Sequence, residues 1–417
     1  MLDFAKRKIC ANQLTNIMKG IAALAPTLLL TLILTSCMSD GYTDTAAGKS
    51  DTYINLNVST PTAQARANAS ANTAETSGTL GQNETSPRPT EEEKIYSIRV
   101  WAFKSDKDDN AKPIGFKAVT DLSATGSYNV SMKLRKTADR PENIDLFILL
   151  NAESIGVLND NNCNRMTRKA LKDSTFNSNF GINTNGSPQA TTVPDTGLPI
   201  SRVITNINVK NNIADNAAAA AAKPVSVPLV RAVSKLHFFF ARKTGKDTES
   251  VTVTKIEVNG DSLTAASPVF PEETTDTDKN TKGLRGSFTG LTYLNSQILK
   301  FDEIATSKIK AVTEPKDYIR SKEETAQAYM DRLRKDSIQE GCISYLRETD
   351  KTITGKIYFK SNEAVAERSV DFEIPEAYRN HELVVYGYFS GEAFLDLNLQ
   401  YYVANWNEKG ATNIEFN

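Results

Sequence analysis

The amino-acid sequence predicts an all-β protein built from β-sandwiches. Two observations support this prediction: many short segments carry apolar residues at every second position, and turn residues separate them. Helical periodicity is rare, so packed sheets rather than layers of helices should form the core. With 417 residues, 40% of them hydrophobic, the chain is long enough for two or three domains. The formal net charge of −1 gives no indication of a nucleic-acid partner.

Residues 1–36 have the pattern of an export signal rather than of a folded element. Four basic side chains precede the apolar run Ile21–Leu34, which is too short to span a bilayer comfortably. The run leads into Leu34-Thr35-Ser36-Cys37, which resembles a bacterial lipobox, so Cys37 is the predicted lipidation site. The alternative is an ordinary signal peptide with an incidental cysteine. Without this segment the chain is mildly acidic, at about −4.

A strand pattern lies near the start of the exported chain. In Tyr53–Val58 the side chains of Ile54, Leu56 and Val58 share one face, and asparagines occupy the other. The next residues, as far as Pro89, are mostly Ala, Ser, Thr, Asn and Gly without apolar periodicity. This composition predicts an exposed loop that a protease can enter. We expect the strand to complete the first domain and cover a sheet edge.

The remaining strands divide at a boundary expected near Arg231. Asn143–Ala152 is continuously apolar and should be a central strand. Beyond the boundary, Leu236, Phe238 and Phe240 share a face. A change of phase between Val253 and Ile256 indicates a β-bulge. The run from Leu395 to Val403 alternates most regularly, with its odd-numbered residues facing the core and Asp396, Asn398, Gln400 and Tyr402 facing out.

Helical signals are confined to two places. Ser321 and Glu324 form a capping box, followed by the stripe Ala326, Tyr329, Met330 and Leu333, which predicts one short helix packed on the second domain. The alanine run 217–222 is too short to be stable as an isolated helix, so we expect a loop there.

No catalytic pattern emerges, and no cofactor is implied. The two histidines, His237 and His381, lack neighbours at metal-ligand spacing, and the Asn-rich stretch 159–164 lacks the Gly and Glu of a calcium loop. Nucleophile elbows and nucleotide-binding loops are missing. Cys163 and Cys342 lie far apart in sequence and are expected to be separate thiols rather than a disulfide.

Six segments, in this order behind a lipobox, together resemble the Bacteroidetes fimbrillin superfamily, the FimA and Mfa type of lipoprotein-derived pilus subunit. They include a strand ending in an Asn-Ala pair, a "GLPIS" turn, a "PLVRAVSKLHF" connection between domains and a terminal "YYVANW". The segments are Asn143–Ala152, Gly197–Ser201, Pro228–Phe238, Ser344–Glu348, Tyr378–Phe389 and Tyr401–Trp406. The resemblance extends over the whole exported chain.

The resemblance implies two transthyretin-like, Greek-key β-sandwich domains with one short helix in the second. The implied division is a signal peptide (1–36), a lipid-anchored propeptide strand and linker (37–93), an N-terminal sandwich (94–231) completed by residues 52–60 before cleavage, and a C-terminal sandwich with its tail (232–417). Four polar residues of the family motifs are expected to cap domain junctions and turns: Arg231, Lys235, Arg379 and Asn380.

The implied function is that of a structural or tip subunit of a cell-surface fimbria (pilus) that supports adhesion. The precursor would be an outer-membrane lipoprotein that carries palmitate on its lipidated cysteine. The mature subunit would join other fimbrial subunits by donor-strand exchange. An arginine-specific protease would cut between Arg66 and Ala67, because the other arginine of the loop, Arg88, precedes a proline. Ile414 and Phe416 alternate in the short tail and are candidates for the donor strand.

Three alternatives remain open from the sequence. The chain could be a monomeric surface lipoprotein that binds a glycan or a host or bacterial surface protein, with Trp101, Tyr386, Tyr388 and Tyr402 as candidate exposed aromatics. It could be a hydrolase whose site forms only in three dimensions. The strand Tyr53–Val58 could also be permanent, as expected for a pilus anchor.

Overall fold

A computed structural model describes residues 51–60, 91–135, 140–176, 193–245, 249–271, 292–295, 298–301, 303–304, 309–321, 323–324, 326–335, 339–362, 366–405 and 411–412. Strands dominate these residues, and the α-helices are short, so the all-β prediction is confirmed. The helices are α1 (Arg168–Lys172), α2 (Ala217–Ala221) and α3 (Ala326–Lys335). No helix in these ranges is long and apolar enough to cross a membrane.

The strands of the first half precede the predicted boundary. They are β1 (Thr52–Ser59), β2 (Lys94–Ile95), β3 (Ile98–Lys104), β4 (Gly115–Val119), β5 (Ala124–Thr125), β6 (Ser127–Leu134), β7 (Asn143–Leu150), β8 (Thr175–Phe176), β9 (Ile200–Asn208), β10 (Val225–Pro228) and β11 (Val230–Arg231). Short 3₁₀ turns cover Glu91–Glu93, Ala152–Ser154 and Asn161–Arg165.

The strands of the second half follow directly. They are β12 (Ser234–Lys243), β13 (Val251–Asn259), β14 (Ser267–Pro268), β15 (Ile298–Phe301), β16 (Lys310–Val312), β17 (Gln339–Leu346), β18 (Ile353–Ser361), β19 (Arg368–Ile374), β20 (His381–Ser390), β21 (Asp396–Asn405) and β22 (Ala411–Thr412). Further 3₁₀ turns cover Gly260–Ser262, Pro315–Tyr318 and Glu392–Phe394.

The first half forms one eight-stranded sheet, in the order β10-β1-β6-β4-β3-β7-β9-β11, which folds back on itself. Apolar residues of β1, β6 and β10 share one buried cluster with residues of β3, β7 and β9, so the two ends of the sheet face each other. The fold-back occurs where β4 and β6 share a single pair, Gly115 and Leu134. A Cβ atom at Gly115 would lie 2.7 Å from the Leu134 side chain, so any other residue here would force that side chain to move. We call this unit the N-terminal sandwich.

Strand β7 is an interior strand of this sheet, between β3 and β9, as its apolar sequence predicts. Residues Leu146 to Leu150 are at most 1% exposed on both faces. Its acidic residue, Asp145, is only 5% exposed and forms an ion pair with Arg168 of α1 at 3.1 Å. The short helix α1 therefore neutralises a carboxylate that would otherwise be buried without a cationic partner.

In the second half a six-stranded sheet faces a four-stranded one. The larger contains β16, β12, β17, β20, β21 and β22, and the smaller has the order β15-β13-β18-β19. The predicted face of β12, Leu236, Phe238 and Phe240, lies in the core between the two sheets. The predicted bulge is also present, because the β13–β18 register shifts between Val253 and Lys255. We call this unit the C-terminal sandwich.

Helix α3 covers the other face of the six-stranded sheet. Its stripe of Tyr329, Met330 and Leu333 is buried there as predicted. The predicted start was wrong, since the helix begins at Ala326 rather than directly after Ser321. The Glu324 carboxylate accepts hydrogen bonds from the Arg332 guanidinium at 2.7 and 2.8 Å, and a hydrogen bond from the Ser321 backbone, the contact expected of the capping box, also lowers the pKa of Glu324.

The prediction of a loop at the alanine run was also wrong. Ala217–Ala221 forms α2, because Asn216 caps the helix by accepting a hydrogen bond from the Ala219 N–H at 2.8 Å. Ala220 is fully buried, so packing adds stability that the isolated run would lack. Together with α1, this gives the N-terminal half two short helices that the sequence did not predict.

A third apolar cluster contains residues of both sandwiches. Trp101 and Phe147, on the outer face of β3 and β7, pack edge-on against Phe270, with ring centroids 5.9 and 5.3 Å away. Tyr345 of β17 belongs to the same cluster. The connection between the halves is short, since β11 ends at Arg231 and β12 begins at Ser234. The division into two domains with these boundaries stays a prediction.

Candidate functional site

Strand β1 occupies an interior place in the eight-stranded sheet although it comes from the N-terminal segment. It pairs antiparallel with β6 over its whole length, from Thr52 opposite Leu134 to Ser59 opposite Ser127. On its other edge it pairs in parallel with β10, from Leu56 opposite Val225 to Ser59 opposite Pro228. The outermost strand is β10, so β1 fills a slot between two strands: it covers the edge of β6, and β10 covers its own other edge.

The side chains of β1 explain why this segment fits the slot. Ile54, Leu56 and Val58 are 0% exposed and belong to the core of the N-terminal sandwich. On the opposite face, the Asn57 amide donates a hydrogen bond to the Asn129 side chain of β6 at 2.8 Å. The alternation in the sequence therefore corresponds to a core face and a polar face, as predicted. Burying three such side chains stabilises the sheet by about 1.5–3 kcal/mol each.

If β1 left this slot, its neighbours would lose partners for their backbone groups. The β6 edge has eight residues in register with β1, and β10 has four. Unpaired N–H and C=O groups on a sheet edge are a template for another strand. The core under the slot would also expose the side chains of Val130, Met132 and Val227, which are at most 1% exposed with β1 in place. A strand in this slot must therefore carry alternating apolar residues to cover the core.

After β1, the next described residues are Glu91–Glu93, and the segment that begins there, which we call the re-entry segment, is attached firmly to the rest of the fold. The Glu92 carboxylate accepts hydrogen bonds from the Lys235 ammonium and the Tyr345 hydroxyl, both at 2.9 Å. Burial raises the pKa of Glu92, but the charges of Lys235 and Arg231 outweigh this effect and hold the pKa below its ordinary value. Glu92 and Lys235 are at most 8% exposed, so this ion pair joins the two sandwiches inside the molecule.

Asn151, the first residue of the Asn-Ala pair and the residue directly after β7, fixes the same segment. Its side-chain oxygen accepts the Tyr96 N–H at 2.8 Å, and its amide donates to the carbonyl oxygens of Lys94 and Leu198 at 2.9 and 2.8 Å. The residue adopts a left-handed backbone (φ 58°) and is fully buried. Asparagine tolerates this conformation better than most residues. Three separate stretches of chain thus meet at one side chain.

The motif residues expected at junctions lie at the contact between the halves. Arg379 forms a fully buried ion pair with Glu348, in which Nε and Nη2 both donate to Oε2, at 2.8 and 2.6 Å, and the Arg379 backbone N–H donates to Oε1 at 3.1 Å. Its Nη1 also donates to the Ser201 hydroxyl of β9 at 3.3 Å. Arg231 donates to the Asn380 side chain at 3.3 Å. The sequence motifs indicated the basic residues Arg379 and Lys235 but not their acidic partners. Nothing in the sequence spacing pairs Glu348 with Arg379 or Glu92 with Lys235.

Several predicted site residues lie outside the described residues. These are the lipidation site, the cleavage site and the candidate donor residues: Cys37, Arg66, Ala67, Ile414 and Phe416. Just before the last two, β22 pairs with the end of β21 at the edge of the six-stranded sheet. The assignments of these five residues stay predictions.

The aromatic residues suggested as a ligand platform do not form one. Trp101 and Tyr386 are 0% exposed, and Tyr402 is 7% exposed. The Trp101 indole donates to the Cys163 carbonyl oxygen at 2.7 Å, and the Tyr386 hydroxyl donates to the Pro315 carbonyl oxygen at 2.9 Å. Tyr402 was expected to face solvent, but α3 covers that face of β21 and its ring contacts Tyr329 at 4.7 Å between centroids. These side chains serve packing.

Cys163 is a free, buried thiol. Burial raises the pKa of Cys163 to about 11, so the thiolate is scarce at neutral pH. The side chain of Cys342 lies outside the described residues. Within the described ranges, no three His, Cys, Asp or Glu side chains group in a way that could hold a metal ion.

Comparisons with known proteins give structural similarities only. No protein-family model and no curated protein matches the chain. Among solved structures, it is similar to the tip fimbrial protein Mfa3 from Porphyromonas gingivalis with C-terminal truncation (11% identity, TM-score 0.46, 85% of this chain and 100% of that chain). It is also similar to a fimbrial assembly protein from Parabacteroides distasonis (12%, 0.43, 88% and 100%) and to the fimbrial anchor protein Mfa2 from Porphyromonas gingivalis (9%, 0.33, 86% and 100%). These neighbours are fimbrial proteins, the class that the sequence motifs resemble.

Proposed function

We propose that this chain is a structural or tip subunit of a cell-surface fimbria, exported as a lipoprotein, matured by proteolysis and assembled by donor-strand exchange. The observation that carries the proposal is the place of β1, an N-terminal strand inserted between β6 and β10 in the interior of a sheet. The chain acts by assembly and adhesion, not by catalysis. Its partners are other fimbrial subunits, and its location is first the outer membrane and then the fimbria.

The connectivity makes β1 separable from the rest of the fold. It reaches its partners through residues 61–90, so one cut in this stretch breaks its covalent link to the body. The body would keep its own start, because Glu92 is tied to Lys235 and Tyr345 and Lys94 is tied to Asn151. Cleavage therefore frees a strand without loosening the segment that follows it. The vacated slot then accepts a strand from the next subunit.

The cut is assigned to the Arg66–Ala67 bond. Small residues flank this arginine in "AQARANA", whereas Arg88 is followed by Pro89, which trypsin-like enzymes cut poorly. An arginine-specific protease acting here would release the acylated Cys37 together with β1. The remaining subunit would no longer be attached to the membrane.

N-terminal sequencing of surface-extracted protein tests this maturation, with Arg66→Ala as the variant and Arg88→Ala as the matched control. We expect a mature start at Ala67 in the parent and in the control, and loss of both cleavage and polymerisation in Arg66→Ala. A chain that still begins at acylated Cys37 inside assembled fibres would contradict the proposal. That result would instead fit an anchor, in which β1 is permanent.

The tail is the proposed donor. We expect deletion of residues 411–417 to leave a folded subunit, because in the described part of the tail only the two-residue edge strand β22 is lost. The truncated subunit should fail to join a growing fibre, measured by electron microscopy of polymerisation reactions with full-length subunits as the control. Normal polymerisation would exclude the tail as the donor.

The monomeric binding alternative has no structural observation in its favour, since three of its four candidate aromatics are buried. Negative-stain microscopy with an antibody to the mature chain separates the two functions. Filaments labelled along their length support a shaft subunit, and labelled ends support a tip. Label confined to the cell body would exclude a polymer.

A further inference from the structure

The outer edge of β1 is held by one continuous segment, Asn212–Pro228, which we call the strap. At its start, Ala214 forms a two-way backbone bridge with Tyr53, with nitrogen–oxygen distances of 2.8 and 3.0 Å. At its end, β10 pairs in parallel with residues Leu56 to Ser59. The strap therefore bonds to β1 near both ends of that strand.

Between these two attachments the strap forms α2, which lies against β1 and β6. Ala220 of this helix is 0% exposed, whereas Ala218 is exposed. Asn55 projects from β1 on the face opposite the core residues, yet it is only 6% exposed. A helix against this face accounts for the burial of Asn55. The alanines of α2 allow the close approach, because a larger side chain at position 220 would have no room.

The strap is anchored near its two ends, where Ile213 and Val227 belong to the core and Arg202 of β9 donates to the Pro228 carbonyl oxygen at 2.8 Å. Between these ends its polar attachments to the rest of the sandwich are modest. Its helix is capped from within by Asn216, and the Asn212 amide donates to the Lys223 carbonyl oxygen at 3.0 Å, again within the strap. Its Asp215 forms an ion pair with Arg140, and both side chains are more than half exposed, so this pair adds little stability. In the sheet, the described neighbour of β10 is β1, which leaves β10 at the edge.

We propose that the strap is a gate that controls when β1 leaves and when another strand enters. This inference rests on the proposed strand exchange and adds its control step. With the strap closed, β1 is bonded along two edges and its core face is fully buried, so it cannot peel away. When the strap lifts, β1 becomes an edge strand bonded to β6 alone, and it can separate one residue pair at a time. After exchange, the strap closes on the incoming strand.

Hydrogen–deuterium exchange of the uncleaved chain, with β1 in place, tests the gate. Ala220→Leu should force α2 off the sheet and speed exchange of the β1 amides about tenfold, since overpacking a buried site is destabilising. The matched control, Ala218→Leu, puts the same side chain on the exposed side of the helix and should change β1 exchange less than about twofold. Amides of β3 and β7 should keep their parental rates in both variants.

A second variant covers the case in which Ala220→Leu disturbs the whole sandwich. Asn216→Ala removes only the helix cap and should speed exchange in the strap and in β1 about fivefold, with β7 unchanged. The gate would be overturned if Asn216→Ala sped amide exchange in the strap but left the exchange of the β1 amides unchanged. It would also be overturned if Ala218→Leu and Ala220→Leu changed β1 exchange equally. Because no fibre or protease is involved, this result is independent of whether the subunit polymerises.

Discussion

Replacing Leu56 by alanine tests how much the N-terminal sandwich depends on β1. Leu56 is 0% exposed, lies opposite Val130 on one side and Val225 on the other, and packs into the core. Leucine-to-alanine changes at such sites cost about 2–5 kcal/mol, and the pairing on both sides favours a value of about 3 kcal/mol. With a urea dependence of about 2 kcal/mol per molar, the unfolding midpoint should fall by about 1.5 M.

Tryptophan fluorescence can report this change from inside the same sandwich. The chain has two tryptophans, and Trp101 of β3 is fully buried. A Trp406→Phe background leaves Trp101 as the reporter. The control, Asn57→Ala, changes the polar face of the same strand and removes one exposed side-chain hydrogen bond, so it should cost less than about 1 kcal/mol. If Leu56→Ala and Asn57→Ala lowered the midpoint equally, β1 would not be part of the core.

Three further predictions concern buried polar groups. Glu348→Gln should destabilise the fold by about 3–5 kcal/mol in urea unfolding, because it leaves the buried Arg379 guanidinium without its ion-pair partner. The control, Lys169→Met, breaks an exposed ion pair and should cost less than about 1 kcal/mol. The pKa of Glu92 is lowered in the folded state, so its ionised form adds stability above pH ~4.5, and this stability is lost as the pH falls further. Glu92→Gln should therefore weaken the pH dependence of the unfolding midpoint in that acidic range. The Cys163 thiol, with its pKa raised to about 11, should resist alkylation at pH ~8 in a folded Cys342→Ser chain without residues 1–37 and react after unfolding.

The strand pattern was the part of the fold that the sequence could predict. Alternation at Ile54, Leu56 and Val58, the apolar run of β7 and the phase change after Val253 each correspond to an observed strand or bulge. These signals are local, because the side chains of a strand alternate between faces wherever the strand lies. The place of β1 between β6 and β10 could not be predicted, since it depends on pairing with residues 68 to 82 positions away in β6 and 169 positions away in β10.

The wrong predictions also concern contacts between residues that are far apart in the sequence. The alanine run forms α2 because Ala220 is buried by the fold, which no propensity within the run reports. Tyr402 alternates as an outward residue, but the outer face of its sheet is covered by α3 and is a second core. The ion pairs of Glu92 and Glu348 join residues more than 30 positions apart, so sequence spacing gave no indication of them.

The central claim is that the slot between β6 and β10 changes its occupant when the subunit joins a fibre. Cryo-electron microscopy of assembled fibres, at a resolution that distinguishes side chains, tests this directly. We predict density in the slot that belongs to another subunit, with apolar side chains at the positions of Ile54, Leu56 and Val58, and no density for the chain's own residues 52–59. Fibres in which each subunit keeps its own β1 in the slot would contradict the account.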